Sequence, residues 1–245
     1  MAKKILFIFA HPDDESFACA GTIAKYQNLG HEISLVCATS GCKGKSGEYQ
    51  FQCREELARH REKETKCAAE IMGISNLFFY RYLDGSLMSQ DLQALGRRIY
   101  KTIHEIRPDI LVTFPPDGVT GHSDHIAICQ ATNEALLLLD AEGGFWGDVY
   151  FASIPHYYDY CELSGPDNVF PITGKVDITP YREVKSKALQ AHRSQVFSLN
   201  RAYPGIIDGE HYSIGNYEYY TLIRSKGESI FPQGNPEEIA TFDFV

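Results

Sequence analysis

The feature that most constrains this chain is an alternation. Short continuous apolar runs at residues 5–9, 33–38, 77–82 and 110–114 are separated by helix-length stretches at about 16–29, 51–72, 89–106 and 122–139. The runs are rich in β-branched and aromatic residues and lack the every-other-residue polarity of a half-exposed strand, so they read as strands buried on both faces. Gly30 and Gly73 stand just past two helical stretches as C-caps, and Arg107-Pro108 stops a third. Strand and helix in turn require βαβ units with right-handed crossovers. The fold class is therefore α/β, a three-layer Rossmann-like fold with a mainly parallel sheet. Past Gly143 the pattern decays into aromatic and Pro/Gly-rich segments with one further helix near 181–196, so an irregular C-terminal portion is expected.

No linker, charge run or repeat divides the sequence, and residues 1–245 read as a single domain, a length one α/β core reaches. A content of 44% hydrophobic and 22% charged residues excludes collagenous and disordered classes. Lys plus Arg number 23 against 32 Asp plus Glu, a net charge of −9, and no basic cluster longer than a pair follows Lys3-Lys4. A nucleic-acid partner, which needs a basic patch to neutralise phosphates, is not expected. Nor is a membrane partner: no stretch approaches the roughly 20 apolar residues of a span, and the apolar stretch 5–10 is short for a signal segment. The seven cysteines are scattered without a C-x-x-C pair, which suits a reducing compartment and a cytoplasmic protein.

The chemistry concentrates in two places. Ala10-His11-Pro12-Asp13-Asp14-Glu15 leaves the first strand, at the carboxyl edge where open parallel sheets hold their ligands. Acids at a helix start are commonplace as caps and dipole partners, but that leaves His11 without a reason. Asp117-Gly118-Val119-Thr120-Gly121-His122-Ser123-Asp124-His125 leaves the fourth strand. Two clusters of imidazole and carboxylate at one edge can converge, and such ligands suit zinc; three of them with an open position make a catalytic site. Spacing alone leaves open which of Asp13 and Asp14 touches the metal. No Gly-x-Gly-x-x-Gly follows the first strand and no Gly-x-Ser-x-Gly occurs, which argues against dinucleotide binding and a serine hydrolase.

In this order of motifs, with Arg61-Glu62-Lys63-Glu64 and Asp84-Gly85 between the two clusters, the chain resembles the PIG-L/LmbE family of zinc-dependent N-acetylglucosaminyl deacetylases, which includes the deacetylases of mycothiol and bacillithiol biosynthesis. The resemblance spans about residues 3–140, and the segment 187–195 resembles the family's late helix. It implies that His11, Asp14 and His125 bind Zn2+, that Asp13 is the general base, and that His122 is an imidazolium beside the reacting carbonyl, oriented by Asp124. It further implies that Arg61 and Asp84 meet the substrate, a small N-acetylated sugar or its conjugate, and that copies assemble into trimers or hexamers. Ser123 stands where the family often has Pro, a change expected to be tolerated. Fe(II), Co(II) or Mn(II) suit the same ligands.

The expected function is removal of the acetyl group from a GlcNAc-type amino sugar by a metal-activated water. The alternatives are an amidase acting on a thiol conjugate or a non-sugar N-acyl metabolite, and a non-catalytic metal-binding protein. Specificity is expected in the loop after Thr39, around Arg61 and Asp84, and beyond Gly143. His192 is a candidate to line the pocket, and tyrosines at 157–160 and 217–220 are candidates to stack on sugar. His31, His60, His104, His156 and His211 read as surface or internally satisfied histidines.

Overall fold

A computed structural model of the chain describes residues 1–154, 171–232 and 239–244. Strand β1 (Lys4–Phe9) lies near the centre of the sheet, between β2 (Glu32–Thr39) and β4 (Ile110–Thr113), both parallel to it. Ile5 through Phe9 are completely buried, as a run apolar at every position requires. The sheet continues outward from β2 to β3 (Asn76–Tyr82), and from β4 to β5 (Asp148–Ser153). On one side pack α1 (Asp14–Asn28), α2 (Arg54–Met72) and α5 (Arg182–Ala191); α3 (Leu92–Ile106) and α4 (Ser123–Asp140) pack together on the other.

The chain runs from β1 through β2 to β3 and then returns to place β4 on the far side of β1. The connections leaving β1 and β4 therefore diverge, and a crevice opens at the carboxyl ends of these two strands. Both chemistry-bearing clusters leave the sheet at that point.

The C-terminal portion is more regular than the sequence suggests. β6 (Gly174–Asp177) and β7 (Tyr217–Ser225) extend the sheet, β7 running antiparallel between β5 and β6, with β8 (Glu228–Ser229) paired on β7. The pattern was hidden because β7 buries charge: Glu218 pairs with Lys185 at 2.6 Å, and Arg224 donates to Asp140 at 2.9 Å. The expected sugar-stacking role of 217–220 does not fit Tyr220, which is wholly buried and donates to Thr22. Residues 157–160 lie outside the described residues.

Buried charge also ties this portion to α1. Lys185 Nζ donates to the Phe17 carbonyl at 2.7 Å, while Glu218 accepts from Gly21 N–H at 3.0 Å and Thr22 N–H at 2.7 Å. Phe17 and Gly21 stand one turn apart on α1, which stays helical throughout Asp14–Asn28. The single helix expected near 181–196 is divided: α5 ends at Ala191, a short 3₁₀ turn follows, and α6 spans Val196–Ala202. The break falls at His192, which leaves helical geometry (φ −87°, ψ 57°) and buries its ring completely.

Candidate active site

Each cluster is positioned by the strand it leaves. After β1 the backbone turns sharply at Asp13, a non-glycine residue at φ 90°, the kind of strained conformation that persists where the surroundings enforce it. Asp13 is the N-cap of α1, yet its side chain makes no capping bond. The commonplace account of an acid at a helix start therefore does not apply to it. Asp14 folds back so that Oδ2 accepts from His11 N–H at 2.7 Å. After β4, Gly118 in left-handed geometry (φ 67°) lets the loop pass over α4, where a Cβ would stand 2.8 Å from that of His125. Phe114 stacks on the His125 ring, centroids 4.1 Å apart and planes 10° from parallel.

These turns bring together the three atoms expected as metal ligands. His11 Nδ1 is 3.1 Å from His125 Nε2 and 3.5 Å from Asp14 Oδ2, and His125 Nε2 is 3.3 Å from Asp14 Oδ1. The outer nitrogens identify the tautomers. His125 Nδ1 faces the Gly118 carbonyl at 3.0 Å and must carry its proton there. His11 Nε2 faces Asp124 Oδ2 at 3.2 Å and Asp84 Oδ1 at 3.3 Å, and must carry its proton there. In the neutral rings both inner nitrogens are then lone pairs, directed at each other and at a carboxylate. Three Lewis bases so disposed are satisfied by a cation, and the outer bonds to carbonyl and carboxylate are those that orient metal-binding histidines. The donor set fits a zinc-type ion.

The electrostatics follow from this packing. Burial would lower the His11 pKa, but its bonds to Asp124, Asp14 and Asp84 outweigh it and raise it well above the ordinary value. Burial would likewise raise Asp14, yet the two imidazoles hold its carboxyl far below the usual range. Asp13 goes the other way: burial, only partly offset by the Arg61 guanidinium, pushes it up to about 6.

Several expected residues sit in the cleft with partners the sequence did not reveal. Arg61 is buried on α2: it is 3% exposed, with Nη2 donating to the Pro12 carbonyl at 2.6 Å and lying 3.3 Å from Asp13 Oδ1. Its Nη1 donates to the Gly41 carbonyl at 2.9 Å. A Cβ on Gly44 would come within 2.4 Å of that nitrogen, so the glycine-rich loop is glycine-rich in order to admit the guanidinium. Asp84 accepts from Lys43 N–H at 2.6 Å as well as facing His11, and burial is outweighed by His11, which holds its carboxyl down to about 2. Both residues line the cavity.

Asp124 and His122 differ from expectation. The Asp124 carboxylate, wholly buried, does not orient His122; it accepts from Gly85 N–H at 2.7 Å and Leu87 N–H at 2.9 Å and faces His11. Its backbone N–H instead donates to His122 Nδ1 at 3.1 Å, making His122 the N-cap of α4. His122 therefore carries its proton on Nε2. Desolvation and the adjacent His11 and His125 hold its pKa below the ordinary value, which favours the neutral ring. Ser123, at the first helical position, is exposed.

His192 does not line the cavity. Its Nε2 is 3.0 Å from Glu15 Oε1, and Ser16 Oγ donates to the same oxygen at 2.8 Å, so these groups form a wholly buried brace under the first turn of α1. Glu15 was absorbed by the sequence reading into an acid-rich helix start, and its partner His192 was noticed only through the resemblance of segment 187–195 to the family's late helix. The cavity over the ligand atoms has a volume of about 350 Å³, with Phe114, Val119, Phe17 and Ile154 as apolar walls.

Comparison with known proteins follows the same lines. The family model PIG-L, described as GlcNAc-PI de-N-acetylase, matches residues 6–136. A Bacillus anthracis protein named as a probable N-acetyl-alpha-D-glucosaminyl L-malate deacetylase 2 is 34% identical over 206 residues, 82% of this chain and 87% of the relative. The 1D-myo-inositol 2-acetamido-2-deoxy-alpha-D-glucopyranoside deacetylase of Kineococcus radiotolerans is 28% identical, over 90% of this chain and 77% of the relative. Among solved structures, N,N'-diacetylchitobiose deacetylase from Pyrococcus horikoshii has the same fold, with a TM-score of 0.65, 24% identity, and coverage of 90% of this chain and 84% of that one.

Proposed function

Because the chain belongs to the PIG-L family of de-N-acetylases, we propose that it hydrolyses the acetamide of an N-acetylglucosamine-type sugar borne on a small-molecule conjugate, with zinc as its metal. It is an enzyme of the deacetylase class. The observation that carries the mechanistic part is the convergence of His11 Nδ1, His125 Nε2 and the Asp14 carboxylate, with the Asp13 carboxylate on the adjacent residue. We take residues 1–245 as one domain, supported by a single sheet that draws its strands from both ends of the described chain. The described cysteines are free thiols, in keeping with a reducing cytoplasm.

His11, Asp14 and His125 would hold the ion. A bound divalent cation supplies Lewis acidity, lowering the pKa of water toward ~7 and polarising an acetamide carbonyl. Asp13 takes the proton of the attacking water; with its carboxyl pushed up to about 6, it is ionised at neutral pH and still a serviceable acid once loaded. Arg61 keeps Asp13 aimed at the ligand atoms. His122 Nε2–H donates a hydrogen bond to the carbonyl oxygen as negative charge develops on it, stabilisation that needs no imidazolium. As the C–N bond breaks, the proton held by Asp13 passes to the nitrogen. Water contributes hydroxyl to acetate and hydrogen to the free amine. Asp84 faces the sugar, its carboxylate retaining lone pairs for hydroxyls.

Acetate release from N-acetylglucosaminides by zinc-loaded protein, beside Asp13→Asn, tests this reading. Asn is the substitution of choice because it tolerates positive φ. We expect one zinc per chain in both proteins and a turnover rate lower by about 10²–10⁴ in the variant. Equal rates in the two would remove Asp13 as the base, and no release from any sugar would return weight to a different amide.

A further inference from the structure

The turn between α5 and α6 has no part in the chemistry just described, although it is built largely from buried polar groups. His192 and Ser194 are wholly buried and Gln195 nearly so, and each side chain bonds a different element of the site. His192 Nε2 meets Glu15 Oε1 at 3.0 Å in the first turn of α1. Ser194 N–H and Oγ donate to the two oxygens of Glu64, at 2.7 and 2.6 Å, one turn beyond Arg61 on α2. Gln195 Nε2 donates to the Lys45 carbonyl at 2.7 Å, on the loop after β2 whose Gly41 carbonyl holds Arg61 Nη1. That loop is pressed onto the turn at Gly47, where a Cβ would stand 2.7 Å from the Arg193 carbonyl oxygen.

Three elements are thereby fixed to one turn, and they are the three that place the Asp13–Arg61 pair. The Asp13 backbone, at φ 90°, is held through its carbonyl, which accepts from Ser16 N–H at 2.9 Å and Phe17 N–H at 3.0 Å. Ser16 Oγ donates at 2.8 Å to the same Glu15 oxygen that His192 faces, so the turn reaches Asp13 through one residue. Stability alone does not account for this cluster. A buried ion pair is often matched or bettered by well-packed apolar residues, and among the described residues Glu15 Oε2 and His192 Nδ1 are buried with no hydrogen-bond partner, a cost left uncompensated. What the polar contacts supply is direction. Resting on the deacetylase reading, we propose that His192, Ser194 and Gln195 are positioning residues, a clamp that sets the first turn of α1 against α2 so that the Asp13 carboxylate meets Arg61 and faces the metal site. The metal site has supports of its own: Asp14 is fastened to His11 N–H, His11 to Asp124 and Asp84, and His125 to the Gly118 carbonyl. The clamp therefore serves the base more than the ligands.

The test is a double-mutant cycle, with acetate release from methyl N-acetylglucosaminide measured at saturating zinc. His192→Leu removes the bond to Glu15 and should lower kcat about 10–100-fold, the cost of a misplaced catalytic group, while the zinc Kd changes by less than about threefold. In the Asp13→Asn protein, which has already lost the group the clamp places, the same substitution should cost less than about twofold, because residues that act through one another are non-additive. His192→Gln keeps an N–H donor for Glu15 and should stay within about threefold of wild type. Ser194→Ala keeps the backbone bond to Glu64; it should lower kcat by a smaller factor with the same non-additivity, and it carries the cycle if His192→Leu does not fold. Hydrogen exchange at Ser16 and Phe17 N–H, whose bonds hold the Asp13 carbonyl, should accelerate in both variants with no substrate present. Accelerated exchange in a protein that releases no acetate from any sugar would sink the deacetylase reading and keep the clamp. Equal costs in the wild-type and Asp13→Asn backgrounds, or exchange and kcat unchanged in both variants, would overturn the clamp.

Discussion

Asp124→Asn separates two accounts of one buried carboxylate. If Asp124 serves His122, the substitution slows turnover and leaves metal binding alone. If it serves His11, as its 3.2 Å approach to Nε2 indicates, metal binding weakens first. The isosteric amide forfeits a hydrogen bond to a charged acceptor, worth about 1.5–3 kcal/mol, or about 10–100-fold in affinity. Asp84 also faces His11 Nε2, but its loop is fastened by the Asp124 bonds to Gly85 and Leu87 N–H, so the two supports fail together and the upper part of the range is expected. The Asn carbonyl can accept from one of those N–H groups while its NH2 confronts the other, at a stability cost of about 1–3 kcal/mol. Competition with a chelating dye reads the zinc Kd of both proteins, and acetate release is then followed as zinc is raised. We expect a Kd at least tenfold weaker and substantial recovery of kcat at saturating zinc. An unchanged Kd with a depressed kcat that zinc does not restore would refute the reasoning.

Other consequences follow from particular contacts. Gly44→Ala, at a position without positive φ, puts a methyl 2.4 Å from Arg61 Nη1 and displaces the guanidinium from Asp13; kcat should fall about tenfold with zinc content intact, and an unaltered kcat would show that Arg61 does not set Asp13. Glu218→Gln strands the Lys185 charge in the core, a loss of about 3–5 kcal/mol that lowers Tm by about 6–20 °C in a chain of this size, measured by calorimetry. Tyr80 is 7% exposed, and burial pushes its pKa from 10.0 to about 12 despite the bond to Thr102. The folded state thus favours the neutral phenol: its contribution is intact below pH 10 and is lost as pH rises toward 12, with a ceiling of about 2–3 kcal/mol. Urea midpoints should therefore fall less steeply between pH 10 and 12 in Tyr80→Phe than in wild type; parallel slopes would contradict that assignment.

What could be read from the sequence, and what could not, has a physical pattern. β1 to α4 were legible because strands buried on both faces must be apolar at every position, and the motifs that follow β1 and β4 are contiguous with the strand ends that place them. β7 was illegible because its inward positions include Glu218 and Arg224, whose burial depends on partners in α5 and α4. Within the site, His11, Asp14 and His125 were named on a resemblance, and their convergence needed the sheet to bring together residues separated by 114 positions. Arg61 reads as helix surface until the chain returns the Pro12 carbonyl and Asp13 to it from 49 residues away. Asp124 was misdirected for the opposite reason: its sequence neighbour His122 is near, but a carboxylate this close along a helix start bonds across space, to His11 and the 85–87 backbone.

The central claim is that one cation at His11, Asp14 and His125 and the carboxylate of Asp13 together make a deacetylase. Titrating chelator-stripped protein with zinc while recording acetate release from an N-acetylglucosaminide tests it most directly. The account predicts no release at the start, a linear rise, and a plateau at one zinc per chain. Full activity in the stripped protein, or a rise that does not level at one equivalent, would contradict it.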